Sequence, residues 1–422
     1  MRVENSSRSS KRILFATIGS LGDLHPCLAL ALELRQRGHR VTVASTEFYR
    51  SKVEALGLTF HPLRPNWNPT DPQLIRQCED LQHGPETLFR RLILPELRGT
   101  YTDLLNAVSG ADLMIAGELV YAAPLVAEKL ALRWASAILS PCSFLSAYDP
   151  SLLVNIPGLY RLRTAGRPMN RLALNLGRLA TNHWWKPVRD LRRELGLRIE
   201  CDPLVRDKFS PHLVLALFSG HLAQPQPDWP AQTVQPGFAF YDQQNADSHP
   251  SPELAAFLAA GDAPIVFTLG STAVHNPGNF YEVSMEAANR LGRRAVLLGA
   301  NAAINASGIL AVPYAPYSQI FPHAAVIVHQ GGSGTTGQAM RAGRPMIFVP
   351  YGWDQPDNGR RVERLGAALC LPRAEYSAKT ASAALARLLS ETHFATRAAE
   401  VAAQMREEDG LTTACNAIEA IL

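Results

Sequence analysis

The chain has 422 residues, 47% hydrophobic and 18% charged, with a formal net charge of +4. Length and composition fit a globular protein of two or three domains, and the charge is too mild to indicate a nucleic-acid partner. No apolar run reaches the ~20 residues of a membrane span, and MRVENSSRSSKR at residues 1–12 lacks the apolar stretch of a signal peptide.

Residues 1–12 are expected to form a disordered tail. Arg12–Thr17 (RILFAT) has the pattern of a buried strand and runs into the turn from Ile18 to Pro26. Cys27–Arg37 follows as a helix closed by Gly38, then Val41–Ala44 as a second strand, which makes a βαβ unit. A nicotinamide dinucleotide is not expected here. Gly19 and Gly22 lack the GxGxxG spacing, and the second strand ends in Ser45 and Thr46 with no acid for a ribose diol. Gly57–Leu63 reads as a third strand, and Pro72–Asn106 as mostly helix, broken at Pro85 and Pro95. Asp112–Ala116 is a strand with Glu118 just beyond it, Ala122–Leu132 a helix and Trp134–Leu139 a strand. Leu152–Leu197 carries Arg161, Arg163, Arg167, Arg171, Arg178, Arg189, Arg192 and Arg193 around Trp184 and Trp185. Such a stretch is either a solvated face with two core aromatics or a weak peripheral membrane contact. His212–Phe218 is the last strand of the first half.

Gln224–Pro236 is rich in proline and glutamine and reads as the start of a linker, with a second polar stretch at Asp242–Pro252. Ile265–Leu269 restarts the strand–helix rhythm and ends in Gly270-Ser271-Thr272. Phe280–Leu291 is a helix and Arg294–Leu298 a strand. Ala324–Val328 is an apolar strand ending at His329, and Gly331–Thr335 is a glycine-rich turn. Thr335–Arg341 is a helix that stops at Gly343 and Pro345, and Met346–Pro350 is another strand. Ser377–Leu422 is alanine-rich and helical. The six cysteines are scattered with no CxxC pair, which suits buried free thiols in a reducing cytoplasm. No HExxH, zinc-spaced cluster or DxD triplet occurs, so no metal is expected.

The chemistry-bearing stretch is Val312–Asn358. A glycine-rich turn from a strand's carboxyl end into a helix aims free N–H groups and the positive end of the helix dipole at one point, which suits a phosphate. Glycines allow close approach, and the hydroxyls of Ser333, Thr335 and Thr336 and the His329 ring add donors. The turn lacks the GxxxxGK[ST] lysine and the GxGxxG spacing, and a turn of this kind can also be purely structural.

With Pro316, Tyr314 and Tyr317 before the turn and Asp354-Gln355 after it, the stretch resembles the donor-binding signature of the family 1 nucleotide-sugar glycosyltransferases. Bacterial members carry similar H-x-G-G-x-G-T-T and D-Q-P-D-N runs. The resemblance makes Tyr314 the aromatic on which the base stacks. It makes His329 with Gly331, Ser333, Gly334 and Thr335 the diphosphate cradle, and Asp354 with Gln355 the binders of sugar hydroxyls. Gln338 stands where many relatives have a ribose-binding glutamate. As a neutral amide with one carbonyl acceptor, it leaves uridine and thymidine both open. Ser271 and Ser318 join the donor set.

The first turn resembles the G-S-x-G-D-x-x-P loop of the bacterial and sterol enzymes, with Gly22 beside the donor and Asp23 as the proposed general base. An ordinary carboxylate is a weak base unless burial raises its pKa. Asp23 could instead cap the helix. His25 has the better intrinsic pKa but lies two residues off the family position. Glu118 either orients the base or is a solvated loop acid.

The resemblance implies the GT-B arrangement, an α/β fold of two Rossmann-like domains facing each other across a cleft. Residues 13–223 are the acceptor domain, 224–262 the linker region, 263–395 the nucleotide-sugar domain, and 396–422 a helix packing back on the first domain. It implies an inverting, metal-independent transfer of glucose or rhamnose from a UDP- or dTDP-sugar, with no cofactor. The acceptor is a hydrophobic hydroxylated small molecule, a polyphenol first and a lipid or sterol second. The expected protein is a cytoplasmic monomer or weak dimer. A silent glycosyltransferase-like helper and a nucleotide-sugar epimerase are the competing readings.

Overall fold

The computed structural model describes residues 10–152, 162–242, 251–300 and 307–422. Most of the expected tail, Arg161 and most of the polar stretch Asp242–Pro252 lie outside the described residues. Two wholly parallel sheets organise the chain. The first has the order β3-β2-β1-β4-β5-β6-β7, built from β1 (Arg12–Ala16), β2 (Arg40–Ser45), β3 (Thr59–Pro62), β4 (Leu113–Gly117), β5 (Trp134–Ile138), β6 (Leu213–Ala216) and β7 (Thr233–Val234). The second has the order β10-β9-β8-β11-β12-β13. Its strands are β8 (Ile265–Thr268), β9 (Ala295–Leu298), β10 (Ile309–Val312), β11 (Val326–His329), β12 (Met346–Phe348) and β13 (Ala368–Cys370). The central strands are apolar on both faces because helices cover both faces of each sheet.

This topology positions the site. In the first sheet the strand order reverses between β1 and β4, and in the second between β8 and β11. Ligands of open parallel sheets bind at such reversals, beyond the strands' carboxyl ends. The Ser20–Asp23 turn and Glu118 lie at the first reversal; Gly270-Ser271 and His329 lie at the second. The two halves share apolar packing. Ile138, Phe144, Phe218 and Trp229 join one buried cluster with Val266, Ile327 and Phe348, and Trp353 packs against the core of the first half.

Four features differ from the sequence reading. The first helix is Leu21–Gln36, six residues longer at its start than expected, with Pro26 inside it. Gly22 and Pro26 read as loop residues, but Ser20 caps the helix and outweighs them. The stretch taken as a linker is not free: β7 pairs with β6, and Trp229 stacks on Phe144 with ring centroids 4.0 Å apart. Strands β10 and β13 and the helix Gln355–Arg364 were not anticipated. Of the terminal helices, Thr392–Met405 packs on Ser333–Ala342. Only Gly410–Ala420 returns to the first half, where Ala414, Cys415 and Ile418 join Leu28 in one core and Glu419 pairs with Arg37 and His39. All six cysteines are free, and only Cys27 and Cys415 are fully buried.

Candidate functional site

Asp23 is the third residue of the first helix. Its carboxylate accepts the Ser20 N–H at 2.8 Å and the Ser20 hydroxyl at 3.2 Å, while Ser20 Oγ accepts the Gly22 N–H at 3.0 Å. This is a reciprocal capping box, so Asp23 does cap the helix, though from its third position. Gly22 spends its amide on the same cap. Burial raises the Asp23 pKa to about 6; the Ser20 N–H opposes the rise and the Glu118 carboxylate adds to it. His25 moves the other way, to about 3, through burial and the Lys52 charge. Its ring lies 4.8 Å from that of Tyr241. The intrinsic order of the two rival bases is therefore reversed: Asp23 is the stronger base in the fold. Glu118 is no solvated loop acid. It accepts from the Ser143 hydroxyl at 2.9 Å and lies 3.5 Å from the buried Lys208 ammonium.

His329 ends β11 and is fully buried. Its Nδ1 accepts the Gly331 N–H at 3.1 Å, which places the proton of the neutral ring on Nε2. Burial lowers its pKa to about 3, and Nε2 has no partner among the described residues. A neutral ring with an orphan N–H donor is the result. Gly331 follows at φ +98°, where a Cβ would lie 2.8 Å from Phe348 and 3.0 Å from the Gln355 carbonyl, so only glycine fits without strain. The helix Ser333–Ala342 then starts two residues earlier than expected, and its first N–H groups have no intrahelical partner. Gly334 is exposed there and Thr335 buried. The Ser333 hydroxyl donates to Leu139 O of the first half, so it joins the two halves and is not a free donor in this arrangement. Ser271, in the turn after β8, and Ser318, in the short helix Tyr317–Ile320, are both half-buried.

Asp354 stands at the start of the helix Gln355–Arg364. Burial raises its pKa to about 7, and Asp23 and Glu118 of the other half push the same way. The fold thus brings three carboxylates, Asp23, Glu118 and Asp354, into one electrostatic neighbourhood from three distant places in the chain. The Gln355 side-chain oxygen Oε1 is already used: it accepts the N–H groups of Tyr351 and Gly352 at 2.7 and 3.2 Å, leaving its amide NH2 as the side chain's donor. Among the described residues no cluster of His, Cys, Asp and Glu could hold a metal ion.

Two residues escaped the sequence reading. The fully buried Asn358 donates to Asp354 Oδ2 at 2.7 Å and to Gly331 O at 3.0 Å, and accepts from Ser140 at 3.4 Å. It ties the carboxylate, the glycine turn and the first half together. Its place in the DQPDN run was visible, its role was not. Trp353 adopts φ +59°, a conformation that costs a bulky residue about 1–3 kcal/mol. Its packing across the halves holds it there, and it fixes the backbone beside Asp354.

Tyr314 is 65% exposed, whereas Tyr317 is half-buried, stacked on Phe321 at 4.5 Å and packed against the core. Gln338 is buried; its Nε2 donates to Asp242 at 3.0 Å, and its Oε1 has no partner among the described residues. Asp242 also pairs with Arg341 at 2.9 Å. Elsewhere, Trp185 is buried against Phe89 and Tyr121, so the tryptophans of the basic stretch face the core. The helix Arg167–Thr181 nonetheless exposes Leu172, Leu176 and Leu179. No described helix is long and apolar enough to cross a membrane.

Comparison with known proteins bears on this arrangement. Residues 13–141 match the Glycosyltransferase family 28 N-terminal domain, and residues 300–420 the Erythromycin biosynthesis protein CIII-like, C-terminal domain. The O-mycaminosyltylonolide 6-deoxyallosyltransferase of Streptomyces fradiae is 32% identical over 426 residues, 97% of each chain. The sterol 3-beta-glucosyltransferase of Aspergillus fumigatus is 29% identical over 97% of this chain but only 30% of its own length. Among solved structures, the glycotransferase of kitacinnamycin superposes with a TM-score of 0.71 at 22% identity, covering 98% of this chain and 99% of that one. The Streptomyces sp. SF2575 glycosyltransferase complexed with thymidine diphosphate gives 0.66 at 22% identity, covering 97% and 99%. These likenesses fix the fold as GT-B.

Proposed function

The chain belongs to the nucleotide-sugar-dependent family 1 glycosyltransferases of the GT-B fold, and from that premise we propose that it moves a hexose, with inversion, from a UDP- or dTDP-sugar to a hydroxyl of a bulky hydrophobic molecule. The tylonolide and sterol acceptors in its relatives' names support an aglycone of that size and polarity; a polyphenol is the second class to screen. The proposed place of work is the cytoplasm.

Asp23 takes the acceptor's hydroxyl proton as that oxygen attacks the anomeric carbon, and the bond to the diphosphate oxygen breaks. A carboxylate with a pKa near 6 is ionised at neutral pH and a better base than an ordinary one. Glu118, held by Lys208 and Ser143, is the second carboxylate acting on it. Charge that develops on the leaving diphosphate meets the N-terminal amides of Ser333–Ala342 and the Nε2–H of His329, as fixed dipoles do in an oxyanion hole. Asp354 and the Gln355 amide accept from and donate to sugar hydroxyls, while Tyr314 stacks on the base and Gln338 meets the ribose. No metal is required in this scheme.

The observation that carries the reading is the orphan Nε2–H of buried His329 at the start of that helix. The test is a panel of UDP- and dTDP-sugars against sterol, macrocyclic and polyphenol alcohols, read by mass spectrometry and nucleoside diphosphate release. Conjugates with a new hexose are expected. Donor consumption without any acceptor, yielding an epimerised nucleotide sugar, would overturn the reading in favour of an epimerase.

A further inference from the structure

The loop that follows β5, residues 139–152, belongs to the first half, yet its far end is bonded into the helix Gln355–Arg364 of the second. Arg361 is buried and pairs within its own helix with the buried Asp357 at 2.7 Å. Asp149 reaches over from the loop to the same guanidinium. Ser151 Oγ lies 3.2 Å from Arg361 Nη2, the Leu152 N–H donates to Asp357 at 2.8 Å, and Arg364 lies 3.7 Å from Asp149. The loop's near end touches both halves: Ser143 donates to Glu118 of the first, and Ser140 meets Asn358 on the same helix of the second. Leu145, between them, is held at φ +49°, a conformation that persists only where surrounding contacts impose it.

The arrangement has the chemistry of a reversible fastening. If the halves part, Arg361 keeps Asp357, so no buried charge is stranded, which is what makes breaking one partner of a buried pair so costly. Asp149 has 23% of its side chain exposed already and returns to water. Undoing this fastening therefore costs Asp149 its contacts with Arg361 and Arg364 and a few hydrogen bonds, and does not cost the helix its own ion pair. The helix so gripped begins beside Asp354 and Gln355, and the loop so held abuts Glu118 next to Asp23.

We propose that Asp149 is a positioning residue that latches loop 139–152 to the helix carrying Asp354 and Gln355, so that the acceptor wall and the sugar wall of the cleft form in one event and water is kept from the glycosyl carbon. The second half of this statement rests on the transfer reaction proposed above; the first does not.

Hydrogen exchange of the full chain, wild type against Asp149→Asn and Asp149→Glu, with UDP and dTDP as probes, tests the latch itself. In Asp149→Asn the amides of residues 139–152 should exchange about ten- to a hundredfold faster, the span expected when a hydrogen bond to a charged group is lost. Residues 355–364, still held by Asp357 and Arg361, should keep wild-type protection, and Asp149→Glu should restore most of the loop's. The second measurement is the ratio of donor hydrolysis to transfer. It should rise in Asp149→Asn with nucleotide affinity unchanged, which a loss of stability alone would not do. Unchanged loop exchange in Asp149→Asn, or an equal rise across the whole chain, overturns the proposal. Absence of any transfer by the wild type would overturn the reaction instead, and the exchange result would still decide the latch.

Discussion

Replacing Asp23 by asparagine separates its structural duty from its chemical one. The pKa is raised from 3.8 to about 6, roughly two units, which corresponds to about 3 kcal/mol of cost for holding the charge in the fold at high pH. Asparagine keeps a side-chain oxygen to accept the Ser20 N–H, so most of the cap survives. What is lost is the favourable charge near the helix N-terminus, about 0.3–1 kcal/mol. The net expectation is a gain of about 2–3 kcal/mol, a rise of a few degrees in melting temperature. The pH dependence is specific. The folded pKa lies above the unfolded one, so the native state binds the extra proton between them. The cost is absent below about pH 4, grows as pH rises to 6 and is complete above it. Melting curves of wild type and Asp23→Asn should coincide at pH 3.5 and diverge by pH 8, with the variant the more stable. Transfer should fall by about 10²–10⁴-fold, as for loss of a general base. A variant less stable than wild type at every pH, with transfer intact, would mean that Asp23 serves the helix alone.

In the wild type, kcat/KM should rise with pH through about 6 as Asp23 loses its proton; a profile flat from pH 5 to 8 would contradict the assignment. His329→Ala should lower kcat by about 10²–10³, measured as nucleoside diphosphate release, because the orphan Nε2–H goes with the ring. Gly331→Ala forces a Cβ to within 2.8 Å of Phe348 at φ +98°. It should cost more than about 1 kcal/mol in chemical denaturation and weaken nucleotide binding by calorimetry. Transfer should be unaffected by EDTA, and activity that vanishes with EDTA and returns with Mg²⁺ would contradict the dipole scheme.

The parallel sheets were legible because β1, β5, β8 and β11 are short apolar runs bounded by small residues, a pattern that survives any detail of packing. Strands β10 and β13, no shorter than β11 and β12, were not read from the sequence, which carries no glycine-rich turn at their carboxyl ends. The helix Gln355–Arg364 hid behind Pro356, which is tolerated in a first turn. At the site, His329, Asp23 and Asp354 could be named from the family resemblance of their motifs. Their protonation could not. The reversal of Asp23 and His25 depends on burial and on Lys52 and Glu118, brought together from distant parts of the chain. The spent groups were equally hidden. The Gln355 oxygen, the Ser333 hydroxyl and the Gly22 amide each have a partner fixed by local turns or by the opposite half. Asn358 and Asp149 act only through contacts that no linear motif displays.

Everything proposed for the chemistry depends on where the leaving anion sits. A structure of the protein with UDP or dTDP bound measures that directly. The phosphorus atoms should lie beside residues 329–335, with phosphate oxygens within hydrogen-bond distance of His329 Nε2 and of the Gly334 and Thr335 amides. Phosphates bound at the Ser20–Asp23 turn, or anywhere away from the end of β11, would contradict the account.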